Sequence, residues 1–79
     1  MLFEKGLFAD YSKQELKEVV DTLKKDEELG FLILGMKEME QQIEQIQRHF
    51  TFDCVSAYNF AKKELYDEIA KRYFEFDKN

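Results

Sequence analysis

Residues 29–50, LGFLILGMKEMEQQIEQIQRHF, decide the fold. Within them Leu29, Leu32, Met36, Met39, Ile43, Ile46 and Phe50 recur at alternating spacings of three and four. That heptad pattern places all seven on one face of an α-helix. The other positions of the second half are almost all Glu, Gln, Lys, Arg or His, whereas Phe31, Leu32, Ile33 and Leu34 are apolar around most of a helical circumference. The pattern predicts one long helix from Glu27 to His49, about 33–35 Å at ~1.5 Å per residue. Its first half is expected to be buried on several sides and its second half to need one partner. Gly30 and Gly35 fall in the apolar half. Each weakens a helix by about 1 kcal/mol relative to Ala, so both are expected where a missing side chain lets another element come close.

A rival reading draws strands at residues 30–35, a short apolar run bracketed by glycines, and at residues 50–54, where Phe50, Phe52 and Cys54 alternate with Thr51 and Asp53. The seam runs unbroken through the first of these into residues 36–50, which a two-residue period does not explain.

Outward from this stretch, Lys24-Lys25-Asp26-Glu27-Glu28 puts cations before acids, suiting a helix carboxyl end followed by a helix amino end. Extending the Leu16, Val20, Leu23 stripe leads to Glu27 and Gly30, not to Leu29 and Leu32. A turn at residues 24–27 is therefore expected, with a continuous bent helix as the alternative. Before it, Ser12 and Glu15 have the spacing of a capping box, so a helix should begin near Lys13 with Leu16, Val19, Val20 and Leu23 inward. Residues 1–11 carry Leu2, Phe3, Leu7, Phe8 and Tyr11 around Gly6 and read as a folded-back arm or one helical turn. After residue 50, Thr51 or Asp53 can cap a third helix over about residues 54–74. Its core stripe is Val55, Tyr58, Ala61 with Ala57, Leu65, Ile69 and Tyr73, and Glu68 and Arg72 stand four apart in the favourable order. Residues 77–79 should fray.

The fold expected is thus all-α, one domain over residues 1–79, with the first and third helices packed on the long second. The long seam also suggests a dimeric helical bundle. A chain of 79 residues has a small core and a narrow stability margin. Twelve aromatic residues, eight Phe and four Tyr, exceed what such a core readily buries, which places some of them at an interface.

Candidate chemistry is sparse. One cysteine closes no internal disulfide, and His49 with Cys54 falls short of the four ligands of a structural zinc. Asp53 beside Cys54 opposes a thiolate, and no orienting group can be placed for thiol catalysis. The pairs Glu40/Glu44 and Glu64/Glu68 lack the Glu-x-x-His of a di-iron bundle. No Gly-rich phosphate loop or basic stripe occurs, and a net charge of −5 disfavours nucleic acid as a partner. No catalytic, cofactor or metal site is expected. The amino terminus lacks a signal-peptide pattern and no apolar run is long enough to span a membrane, so the expected location is the cytosol.

What remains is binding to another protein, as a small regulator or adaptor. Two surfaces compete: the aromatic edge Tyr58, Tyr66, Tyr73, Phe74 and Phe76, and the acids Asp26, Glu27 and Glu28, which suit a partner with a basic surface. In the second case an acidic inhibitor of the kind phages encode, occupying a basic nucleic-acid-binding site of a host enzyme, is the alternative reading.

Overall fold

The computed structural model describes residues 5–72, and these contain helices α1 (Lys13–Leu29), α2 (Ile33–Glu38), α3 (Glu40–His49) and α4 (Cys54–Lys71). The fold is all-α, with no strand among the described residues. The strand alternative therefore fails: residues 30–32 are a turn that leads into α2, and residues 50–53 are the turn that leads into α4.

α1 begins as its capping box predicts. The Ser12 hydroxyl accepts from the Glu15 N–H at 3.1 Å while the Glu15 carboxylate accepts from the Ser12 N–H at 2.8 Å. It ends later than predicted, because the turn lies at Gly30 and not at residues 24–27. Gly30 takes φ +73°, its N–H donates to the Glu27 carbonyl at 3.2 Å, and the Phe31 N–H donates to the Asp26 carbonyl at 2.9 Å. This is the Schellman termination, in which a left-handed residue closes the last turn, a conformation glycine adopts without strain. No atom lies within 4 Å of a Cβ built on Gly30. Its conformation, and not the close packing expected from the sequence, is what requires glycine.

The buried face of α1 is Leu16, Val19, Leu23 and Asp26. Asp26, only 1% exposed, continues the apolar stripe with a carboxyl group. Its two oxygens accept from the backbone N–H groups of Leu34, at 3.2 Å, and Gly35, at 2.5 Å. These are among the first-turn donors that every helix leaves unpaired, and Leu32, at the cap position of α2, offers no side-chain acceptor. Asp26 thus caps a helix that starts seven positions further along the chain.

The predicted long helix is correspondingly divided. Its first residues belong to α1, residues 30–32 form the turn, and from Ile33 onward Met39 is the single interruption. Across Met39 the ladder persists, with the Met39 N–H on the Gly35 carbonyl and the Ile43 N–H on the Met39 carbonyl, both at 2.9 Å. Gly35 is where α2 touches its neighbours: a Cβ there would stand 2.5 Å from Leu23 Cδ2 and 3.0 Å from the Tyr58 ring.

The Asp53 carboxylate caps α4 by accepting from the Ser56 N–H at 2.7 Å. α1 packs on α2 and α3 packs on α4. A single core of Phe8, Leu16, Val19, Leu23, Met39, Ile43, Ile46, Ala57, Tyr58, Ala61 and Leu65 joins them. In the second half of the seam Met39, Ile43 and Ile46 are therefore buried within one chain. Residues 7–10 form turns that bury Phe8 completely. Arg72 holds this arm to the end of α4, donating to the carbonyls of Tyr11 at 2.7 Å and Ala9 at 3.0 Å while pairing with Glu68 at 2.8 Å. The molecule measures 38 × 34 × 14 Å between its outermost Cα atoms. Its thin dimension is that of two packed helices, whose axes lie about 8–10 Å apart.

Candidate interaction surface

The most exposed large apolar side chains cluster in one short segment. Leu29 is 63% exposed, Phe31 55%, Leu32 39%, Ile33 69% and Leu34 44%. The sequence predicts the opposite, burial on several sides. Two backbone devices explain the difference. Gly30 reverses the chain at the end of α1, and Asp26 holds the first turn of α2 by its backbone N–H groups, so residues 31–34 are anchored without their side chains entering the core. In a body two helices thick, no third layer covers them.

A second apolar feature lies at the turn between α3 and α4. Phe50 and Phe52 stack with centroids 5.0 Å apart, and Phe60 of α4 lies 5.6 Å and 6.1 Å from them. In the first turn of α4 Val55 is half exposed, although the sequence places it in the core stripe. The alternation of Phe50 and Phe52 was visible in the sequence, but their convergence on Phe60 requires the turn.

The predicted site residues separate. Tyr58 is 3% exposed and belongs to the core, where burial, and after it the charges of Asp26 and Glu27, push its phenol above the ordinary tyrosine range. It is not part of a docking edge. Tyr66 is exposed and lines a mainly apolar groove of about 390 Å³ between α1 and α4, with Val20 and Ile69. Tyr73, Phe74 and Phe76 lie outside the described residues. Asp26 is engaged in capping and cannot present charge to a partner. Glu27 and Glu28 are exposed, and Glu27 pairs with Lys62 at 3.6 Å. With so much solvent around it, that pair contributes little.

A second concavity, about 370 Å³, lies between α1 and the junction of α2 with α3. Glu15, Glu18, Glu38 and Glu40 line it together with Lys37 and Gln42. The hydrogen bonds from the Ser12 backbone and hydroxyl hold Glu15 below the usual carboxylate range. The Gln42 amide, 4% exposed, donates through Nε2 to the Tyr11 hydroxyl at 2.8 Å, and its Oε1 is buried without a hydrogen-bond partner. Nothing in the sequence distinguishes Gln42 from its neighbours Gln41, Gln45 and Gln47, because its partner is 31 residues away.

Cys54 is exposed and accepts a weak contact from Gln47 Nε2 at 3.8 Å. Among the described residues no three His, Cys, Asp or Glu side chains converge as a metal site, and no helix is long and apolar enough to cross a membrane. The site is therefore a set of surfaces on a small all-α domain. Compared with known proteins, the chain matches no family model, no curated protein and no solved structure.

Proposed function

We propose that the chain is a non-enzymatic protein–protein interaction module, a small cytosolic regulator or adaptor, which docks its partner on Leu29 and residues 31–34. The carrying observation is the exposure of five large apolar side chains within six consecutive residues. Single exposed leucines are ordinary, but a contiguous apolar patch on a small domain marks a contact surface. The patch is also pre-organised, since the Gly30 turn and the Asp26 cap fix its backbone before any partner arrives. Little ordering entropy then opposes docking, and burying apolar area contributes about 25 cal/mol per Å².

The acidic alternative retains one supporting observation, the gathering of Glu15, Glu18, Glu38 and Glu40 around one concavity. Salt separates the two. Capture of a partner from extract by the immobilised chain should persist at high salt and disappear in a Phe31→Glu/Ile33→Glu variant that stays helical. Capture that fades with salt and survives in that variant supports the acidic reading instead. Light scattering distinguishes the dimer expected from the sequence: a doubled mass that halves in the same variant identifies a second copy as the occupant of the patch.

A further inference from the structure

We propose that the groove between α1 and α4 is the docking site of the chain's own residues 73–77, which follow α4. This surface is separate from the apolar patch at residues 29–34 and does not depend on its role. Val20 of α1 and Ile69 of α4, both packed against the core, line the groove together with Tyr66, which is 40% exposed. Lys17 and Lys24 line it too, against one acid, Asp21. On a chain of net charge −5, the groove is thus an apolar strip with an excess of positive charge. Its volume of about 390 Å³ is at the lower end of pockets that hold small groups, enough for one or two aromatic rings.

The occupant that fits pairs aromatic side chains with carboxylates. Residues 73–77 lie outside the described residues and read Tyr73-Phe74-Glu75-Phe76-Asp77, in which Phe74 and Phe76 alternate with Glu75 and Asp77. In an extended segment that alternation puts the two phenylalanines on one side and the two acids on the other. The rings can then enter the apolar strip while the acids stay at its edge. Lysine stems lie along apolar surface and still present their ammonium groups there. Distance permits the fit. Ile69 and Tyr66 stand three and six residues before Arg72, about 4.5 and 9 Å back along the helix axis. Five extended residues span about 16 Å, so a segment that turns back after Arg72 reaches both. Tethering supplies what so small a contact lacks, because a short connection holds the segment at an effective concentration in the millimolar range.

NMR spectra of the full chain test this. The expected result is nuclear Overhauser contacts from the rings of Phe74 and Phe76 to the methyl groups of Val20 and Ile69. Phe74→Ser/Phe76→Ser should remove them and shift those methyl resonances, while the resonances of Ile46, in the core, stay in place. The peptide acetyl-Tyr-Phe-Glu-Phe-Asp-amide, added at millimolar concentration to this variant, should move Val20 and Ile69 back toward their parent positions and leave the parent chain unaffected. Glu75→Lys/Asp77→Lys should move the same resonances part of the way toward those of the phenylalanine variant, and further at low salt than at high. Val20 and Ile69 resonances unmoved by Phe74→Ser/Phe76→Ser overturn the proposal. So do contacts seen only between differently labelled copies in a mixed sample, which would place the segment on a second molecule.

Discussion

Residues 29–34 and residues 39–46 are two apolar segments of one heptad seam, and they end in opposite environments. Met39, Ile43 and Ile46 are at most 7% exposed, whereas no large side chain from Leu29 to Leu34 is less than 39% exposed. The denser segment is the exposed one. Spacing, not density, decides burial here: in α3 the apolar residues recur on one face and the polar ones take the rest, so α4 can cover that face completely. In residues 29–34 the apolar residues follow one another with no polar position between Phe31 and Leu34, and a body about two helices thick has no element left to meet them.

The largest effect should come from testing this contrast directly. Ile46→Ala removes a side chain with no exposed surface and should cost roughly 2–5 kcal/mol in urea unfolding. Ile33→Ala, the same substitution at 69% exposure, should change stability by no more than about 0.5 kcal/mol. Equal losses at the two positions would mean that residues 29–34 are covered in solution, for instance by a second copy, and the dependence on protein concentration would then reveal it.

Next in size is Asp26, the residue that holds the exposed segment in place. Replacing it with Ala leaves the Leu34 and Gly35 N–H groups without their acceptor and opens a cavity in the buried face of α1. The expected cost is roughly 2–4 kcal/mol. Asp26→Asn keeps one acceptor and should cost less than half as much. Hydrogen exchange at Leu34 and Gly35 reports the local consequence, and protection unchanged in Asp26→Ala would show that another group caps α2.

What the sequence disclosed follows the range of each interaction. The Ser12/Glu15 box and the Asp53 cap were legible because donor and acceptor are three residues apart. The stripes of α1 and α3 were legible because helical period and burial coincide there. The turn at Gly30 was missed because the acids 26–28 resembled a helix amino end. One of them does serve that purpose, but for a helix reached through space, with the bonds spanning eight and nine residues. Tyr58 carried two readings, core stripe and docking edge, and only the close approach of α2 at Gly35 decides for the core. The exposed patch could not be read at all, since its exposure depends on how many helix layers the whole chain builds.

That close approach gives a smaller, sharper test. Gly35→Ala improves intrinsic helix propensity by about 1 kcal/mol. The new methyl group, however, would stand 2.5 Å from Leu23 Cδ2 and 3.0 Å from the Tyr58 ring, and Leu23 is 1% exposed, so the leucine must shift within the core to admit it. Overpacking of this kind costs about 1–3 kcal/mol, so net destabilisation is expected. A paired Gly35→Ala/Leu23→Ala variant should relieve the methyl clash while losing the leucine's own packing, so the loss in the pair should be smaller than the sum of the two single losses. If Gly35→Ala alone stabilises the chain, α2 is not pressed against α1, and the account of why residues 31–34 face outward fails with it.

The smallest effect concerns the cap of α4, the helix that covers the buried half of the seam. The Ser56 backbone N–H, followed by the Ser56 hydroxyl, holds the Asp53 carboxyl below its ordinary value, and the group is fully exposed. A carboxyl whose folded pKa is depressed contributes stability that is fully present above its unfolded value and is lost as pH falls through the lower folded one. The contribution of Asp53 should therefore be constant near neutrality and decline below about pH 4, the usual aspartate range. Asp53→Asn preserves an N-cap acceptor but cannot titrate, so its stability at neutral pH should stay close to that of the parent chain while its decline in acid becomes shallower. Urea midpoints of both proteins between neutral and acidic pH measure this. Glu15, depressed by its own bonds to Ser12, remains in the variant, so the acid dependence should be reduced and not abolished. Parallel curves for the two proteins would show that Asp53 accepts no more strongly in the folded chain than in the unfolded one, and that burial of the seam alone holds α4 against α3.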